Sequence, residues 1–429
     1  MNAKKMVLAV SVLLMLCSCT KNSEQPSQSK HTSAPESISI DDAEISVLTS
    51  EQPQNTSNVE LDKPYHDTHD LAIRQHTVLS SCGNDSMFVR NDGILFAQGD
   101  DIAAGGCWES YENDLYKYTS ANNVASVSCS RWSFLFIDTY GVLYGQGIAL
   151  WNKEQFPNIE IPEREELVRI MDETIMAYCG FSICLVLKND GTVWAWDAEF
   201  ADDKSVSDRE VTCVQDIPVK IADNVKYLDG YHIIKNDGSL WRLKFPTTID
   251  KMDTNSGENF EFIMENIKQV SSGWQTFAVD EYESLWIWGD TEHMGIEGNP
   301  YPYLETGEPY KLMDDVKYAH TDFSQFAVIK NDGSLWVWGN NWNGAIANDS
   351  FDYTTEPHNI LNNIVDVMCG SSNIYAIDTN GVIWESGVNI NLKMELGHIY
   401  EDNDYTELIK KASVPHRFIE GSFLPLQQK

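Results

Sequence analysis

Four cysteines have the residue type and spacing for metal chemistry: Cys82, Cys129, Cys179 and Cys369 each stand directly before a small residue, Gly83, Ser130, Gly180 and Gly370. If a repeating fold brought them together they would offer thiolates to a metal such as zinc, whose ligands must converge closely. The other reading, preferred here, is that the position wants a small residue and that buried cysteine behaves as a small hydrophobe. A second group, His66, Asp67, His69, Asp70 and His76, also holds metal-ligating types, but it lies in a polar stretch that reads as a solvated linker. Turn sequences such as Asp378-Thr379-Asn380-Gly381 suggest calcium only superficially, since no EF-hand spacing with its terminal Glu follows. Gly-x-Ser-x-Gly, phosphate-loop and His-Glu-x-x-His signatures do not occur. No metal, no cofactor and no catalytic residue are therefore expected, although side chains from separate elements can assemble a site that local spacing does not reveal.

One cysteine suggests a different chemistry. Leu16-Cys17-Ser18-Cys19 follows Lys4, Lys5 and an apolar run from Met6 to Leu16, too short to span a bilayer and read as a secretory signal over residues 1–18. The small residue before Cys19 resembles a bacterial lipobox, whose cysteine is diacylated and becomes the mature N-terminus. Cys19 is the expected lipid attachment site; an ordinary signal peptide that happens to contain cysteines is the alternative. Residues 19–70 are Ser, Gln, Asn, Thr, Glu and Pro with few large apolar residues, a composition that cannot offset the entropy of ordering. They read as a disordered tether, reaching roughly 35–40 Å on average as a coil of about 50 residues. The chain is expected to be exported and held at the bacterial cell membrane by this lipid alone. Of the nine cysteines, those left after lipidation are odd in number and widely spaced, which is not a disulfide framework.

The formal charge of −35 repels phosphate backbones and anionic membrane surfaces, so nucleic acid is not an expected partner. Cations, basic proteins and neutral glycans remain. With 42 % apolar and 11 % aromatic residues the chain can bury a large core.

The elements that would position these residues recur. Gly93, Gly141, Gly191, Gly238, Glu283, Gly333 and Gly381 follow one another at intervals of 48, 50, 47, 45, 50 and 48 residues, and such a period marks a solenoid, a propeller or an array. Asp-Gly and Asn-Gly between apolar runs are hairpin signals, because Gly supplies the positive φ of a tight turn. Another apolar strand precedes each hairpin, as in Ile364 to Gly370, and a Pro-led stretch follows, as in Pro309-Tyr310-Lys311-Leu312 and Pro357-His358-Asn359-Ile360. Four strands repeated radially predict an all-β, seven-bladed β-propeller of four-stranded antiparallel blades over residues 71–421, with a tail at 422–429. Pro415-His416-Arg417-Phe418-Ile419 has no following unit, and is expected to become the outer strand of the blade begun near Ile73, clasping the ring shut.

The run from Lys330 to Gly344, Lys-Asn-Asp-Gly-Ser-Leu-Trp-Val-Trp-Gly-Asn-Asn-Trp-Asn-Gly, resembles the regulator-of-chromosome-condensation repeat. The motif is specific in units three, five and six and degraded elsewhere; kelch and WD repeats fit less well. The resemblance implies a binding propeller, since family members include a nucleotide exchange factor on chromatin and a secreted bacterial inhibitor that caps β-lactamases. The exchange activity is not expected to transfer to an exported, strongly acidic chain.

Two sets of aromatics separate on this frame. Phe96, Tyr144, Trp194, Trp241, Trp286, Trp336 and Trp384 occupy one repeat position, with Trp196, Trp288 and Trp338 two residues further on; all are expected to wedge between blades. By the family's strand order, the connections between first and second strands and between third and fourth strands emerge on one face. The former carry Trp132, Phe181, Tyr231, Trp274 and Phe323, and the latter carry Trp108, Trp151 and Trp342 among acidic neighbours such as Glu109, Glu154, Asp290 and Glu305. The repeat has no need of these rings, so they are the expected partner-binding residues; the alternative is that some fold inward as plugs. A monomer binding an envelope or extracellular protein is expected, with glycan binding, or a polysaccharide lyase or hydrolase using channel-mouth carboxylates, as alternatives.

Overall fold

The tight turns organise every unit. In the six glycine-bearing units the turn residue has φ between 78° and 86°, and in the fifth Glu283 adopts 66°, so the hairpin geometry is kept where the glycine is lost. The turn is built in two ways. In Asn-Asp-Gly-Ser/Thr turns, Asp190, Asp237 and Asp332 accept both the backbone N–H and the hydroxyl proton of Thr192, Ser239 and Ser334. In the second, fifth and seventh units an aspartate at the end of the preceding strand takes over: Asp138, Asp280 and Asp378 each accept two backbone N–H groups of the turn; the first unit keeps the former pattern in part, with Asp92 accepting the Ile94 N–H. These carboxylates are thereby engaged in their own turns, as turn chemistry requires.

The computed structural model describes residues 78–82, 85–99, 108–110, 115–130, 133–147, 167–180, 183–197, 218–244, 259–273, 275–289, 307–322, 325–341, 344–348, 350, 352–370, 373–387, 415–419 and 423, all within the compact unit Leu61–Lys429. They form seven antiparallel sheets, six of four strands and one of five. The inner strands are Leu79–Cys82, Val124–Ser130, Thr174–Cys179, Val225–Asp229, Ile267–Ser272, Val316–Asp322 and Ile364–Cys369. Each packs against the blades on either side, the last against the first, and the ring is closed. The second strands, such as Ser133–Asp138 and Gln275–Asp280, are buried along their whole length, which is why they read as continuous apolar runs rather than alternating ones. Six inner strands bulge near their start, inserting Ala125, Ile175, Lys226, Lys268, Lys317 and Val365, a device that increases strand twist.

Ring closure differs from the expectation. Strand His416–Ile419 pairs with Ile383–Gly387 and completes the seventh blade. The first blade supplies its own fourth strand, Leu115–Tyr118, and adds a fifth, Trp108–Ser110. Among the described residues every blade is consequently built from one contiguous stretch of chain, and no strand is exchanged between the seventh blade and the first.

The repeat-position aromatics divide by depth. Phe96, Trp196, Trp288 and Trp338 are buried, and Trp338 lies 5.9 Å from Phe277 of the preceding blade. Tyr144 and the other five tryptophans are only half-buried. Each of these indoles donates Nε1–H into its own turn: Trp194 to Thr192, Trp241 to Ser239 and Trp336 to Ser334, Trp286 to Asp280 and Trp384 to Asp378. The polar edge of the ring, which must find an acceptor when partly buried, thus braces the hairpin, while the rings of Trp241 and Trp286 also pack against the apolar cluster shared by the third, fourth and fifth blades.

Candidate functional site: the loop-bearing edge and the channel wall

Strand pairing brings three kinds of strand end together at one edge of each blade. Ser130 pairs with Ser133 and Ser133 with Gly147; Asp322 pairs with Gln325 and Gln325 with Gly339. The end of the inner strand, the start of the second and the end of the third therefore adjoin. Connections 99–107, 148–167, 198–218, 244–259, 290–309, 340–353 and 388–415 all leave from these third-strand ends. In five blades the exit is a glycine, Gly99, Gly147, Gly289, Gly339 or Gly387, with φ between 104° and 128°. A Cβ at Gly99 would lie 2.0 Å from Asp85 Oδ1, so the side chain is excluded by space as well as by conformation.

Of the expected partner-binding residues, Trp132, Phe181, Trp274, Phe323, Trp342 and Trp151 lie outside the described residues, as does Cys19. Tyr231 and Trp108 are described, and both rings are half-buried. Tyr231 makes an edge contact with Tyr178 of the neighbouring blade at 5.8 Å. Trp108 packs on Tyr118 at 4.9 Å and on Phe134 of the next blade at 5.9 Å. Each is anchored across a seam, so part of its contact area is already committed to the fold.

Below this edge the inner strands carry residues that local sequence did not single out. At one repeat position the side chain accepts a backbone N–H from the next blade: Ser80 from Cys129 at 2.9 Å, Ser128 from Cys179 at 2.9 Å, Asp229 from Ser272 at 2.7 Å, Ser271 from Thr321 at 3.1 Å and His320 Nδ1 from Cys369 at 3.1 Å. Tyr178 and Met368 occupy this position in the remaining two blades, and among the described residues they make no such bond. The fifth and sixth blades are further joined by Gln269, whose amide donates to Ala319 O at 2.7 Å and accepts from Ala319 N–H at 3.2 Å.

These bonds also explain the cysteines. Cys129, Cys179 and Cys369 share one position, paired with Phe134, Cys184 and Ile374, but Cys82 pairs with Asp85, and Ser81 takes the shared place in the first blade. The alignment suggested by the following small residue was one position out. Burial pushes the Cys129 and Cys369 thiols well above their ordinary value, which holds them as thiols rather than as the thiolates a metal needs. Among the described residues no three His, Cys, Asp or Glu side chains are placed to hold a metal ion.

The inner strands also carry buried tyrosines and a buried carboxyl group. Burial pushes the Tyr178, Tyr227 and Tyr318 hydroxyls well up, and nearby Asp229 adds to each shift. Burial likewise raises the Asp229 carboxyl to about 7, against the Ser272 N–H that favours its ionised form. Ser272 Oγ lies 2.8 Å from His232 Nδ1, residue types that elsewhere make a nucleophile and its base. Here burial lowers His232 to about 3, which leaves it neutral and a weak base, while the Ser272 hydroxyl also donates to Asp229 O at 3.0 Å. The cluster fastens the fourth blade to the fifth. The one sequence signal for it was the shortness of unit four between Gly230 and Gly238.

No family model and no curated relative matches the sequence. Yeast RCC1 (Prp20), crystallised bound to Kap60, superposes with a TM-score of 0.53 at 15 % identity, covering 76 % of this chain and 83 % of that one. Human WBSCR16 superposes with a TM-score of 0.51 at 17 % identity, covering 70 % of this chain and 85 % of that one. The chain is a seven-bladed β-propeller, a fold it shares with yeast RCC1 (Prp20) and human WBSCR16.

Proposed function

We propose that this protein is an exported, lipid-anchored propeller that binds a protein partner through its loop-bearing edge. The anchor is Cys19, and the tether at residues 19–70 holds the propeller away from the membrane. The observation that carries the reading is the inequality of the two ends of the blades. One end is shut by tight turns whose carboxylates are engaged within the turns themselves. From the other depart all the long connections, whose sequences carry aromatic residues, and loops leaving a rigid ring suit a binding surface. The complex of yeast RCC1 (Prp20) with Kap60 supports the reading, because it shows a protein of this fold bound to another protein. With a charge of −35 the favoured partner presents a basic surface.

The test is crosslinking in the native envelope with the full-length protein and with a Trp132→Ala, Trp274→Ala double variant, paired with a glycan array. Discrete proteins crosslinked to the wild type and lost from the variant are the expected result. Binding to sugars alone, or protein capture unchanged by both substitutions, would overturn it.

A further inference from the structure

The joint between the seventh and first blades is made differently from the other six. In those six, the carbonyl of the turn residue accepts the N–H of the residue that opens the next inner strand. Val124 meets Gly93, Thr174 Gly141, Val225 Gly191, Ile267 Gly238, Val316 Glu283 and Ile364 Gly333, at 2.9–3.0 Å. In the seventh blade the equivalent acceptor, Gly381, is met at 2.8 Å by the N–H of Phe423, which follows the outer strand His416–Ile419. Phe423 therefore stands where the first residue of a further blade would stand. Its ring is fully buried and lies 6.4 Å from Phe96 of the first blade.

The outer strand also reaches the seam: Phe418 sits 5.2 Å from Phe88 of the first blade and 5.4 Å from Tyr375 of the seventh. Within the seventh blade the strand is held by His416 Nε2, 3.2 Å from Glu385, a fully buried carboxylate that also accepts from the Asn373 amide. Met368 stands where five other seams have an inner-strand acceptor, and Tyr375 OH donates to Gln98 of the first blade at 2.9 Å and is also hydrogen-bonded to Ser86. Two of the five rings that fill this seam, Phe418 and Phe423, come from the closing stretch.

We infer that Phe423 is a latch, and that displacing it opens the ring at this seam alone. The seventh blade keeps its fourth strand, His416–Ile419, when Phe423 alone is displaced. Opening would uncover an aromatic cleft lined by Phe88, Phe96 and Tyr375.

Hydrogen exchange on the full-length protein tests the idea, comparing wild type with Phe423→Ala, with a chain shortened after Glu420, and with a control shortened after Pro425. In the first two variants the amides of Leu79–Cys82, Asp85–Val89 and Asn373–Asp378 are expected to exchange about tenfold faster or more. Those of Val225–Asp229 and Ile267–Ser272 should keep wild-type rates, as should every amide of the control. Equal acceleration in all blades, or none in the first and seventh, would overturn the inference. Should the chain shortened after Glu420 fail to fold, the profile of Phe423→Ala decides by itself.

Discussion

Asp229 shows how one side chain can both join and weaken a fold. Its carboxylate accepts the Ser272 N–H at 2.7 Å, yet burial raises its folded-state pKa from 3.8 to about 7. A value raised above that of the unfolded chain means that folding favours the protonated form. The stability tied to this group is therefore complete below about pH 4 and is lost as the pH rises towards 7. Asp229→Asn retains an oxygen to accept the N–H and cannot ionise. Its advantage over wild type is expected to grow by roughly 2–3 kcal/mol between pH 5 and pH 8, read by urea denaturation at each pH. An advantage that is flat or shrinks over that range would remove burial of the charge as the cause.

Among the elements, the tight turns give the sharpest prediction. Gly93 and Gly238 share a positive φ, 80° and 86°, and differ in space. A Cβ on Gly93 would lie 2.8 Å from Asn122 O and 2.9 Å from Asn123 Cα, while one on Gly238 has nothing nearer than Asn266 Cα at 3.6 Å. Gly238→Ala is expected to cost about 1–2 kcal/mol for the backbone conformation alone. Gly93→Ala should cost roughly 1–3 kcal/mol more, because backbone must move; equal losses in thermal melts would refute the spatial argument. These turns were legible in the sequence because their chemistry is local, carried by Asp, Gly and Ser within a few residues of one another. Other features were not local, and were missed or misplaced. The seam bonds join residues 43 to 51 apart in the chain, and nothing near Ser128 announces Cys179. Cys82 was placed by its following glycine, whereas strand pairing places it. Pro415–Ile419 has the pattern of an outer strand, but that pattern does not specify which blade it completes. Trp108 and Tyr231 were recognised as aromatics outside the repeat, and their lodging across seams depends on neighbours no local motif reveals.

At the scale of the whole molecule, charge governs encounter. Among the described residues, exposed cations such as Arg169, Lys220, Arg242 and Lys311 are each paired with a nearby carboxylate, and the excess of acid extends over the whole chain. Association with a basic partner should be steered by this field. For a partner recovered by crosslinking, the association rate is expected to fall about tenfold or more between roughly 50 mM and 500 mM salt, while dissociation changes little. Rapid-mixing kinetics would show it, and a rate indifferent to salt would argue against electrostatic capture.

That each blade is one unbroken stretch of sequence has a consequence for descent as well as for folding. Where a propeller is closed by a strand borrowed from the far end of the chain, the segment duplicated in a gene and the sheet formed in space are out of step. Here they coincide. A duplicated or deleted segment of one repeat length would add or remove a whole blade, together with its turn, its braced tryptophan and its bond to the next, and leave the closing stretch intact. The degraded fourth and fifth units, one shortened and one without its glycine, can then be read as old copies that drifted separately, each held in place by neighbours it did not need to resemble.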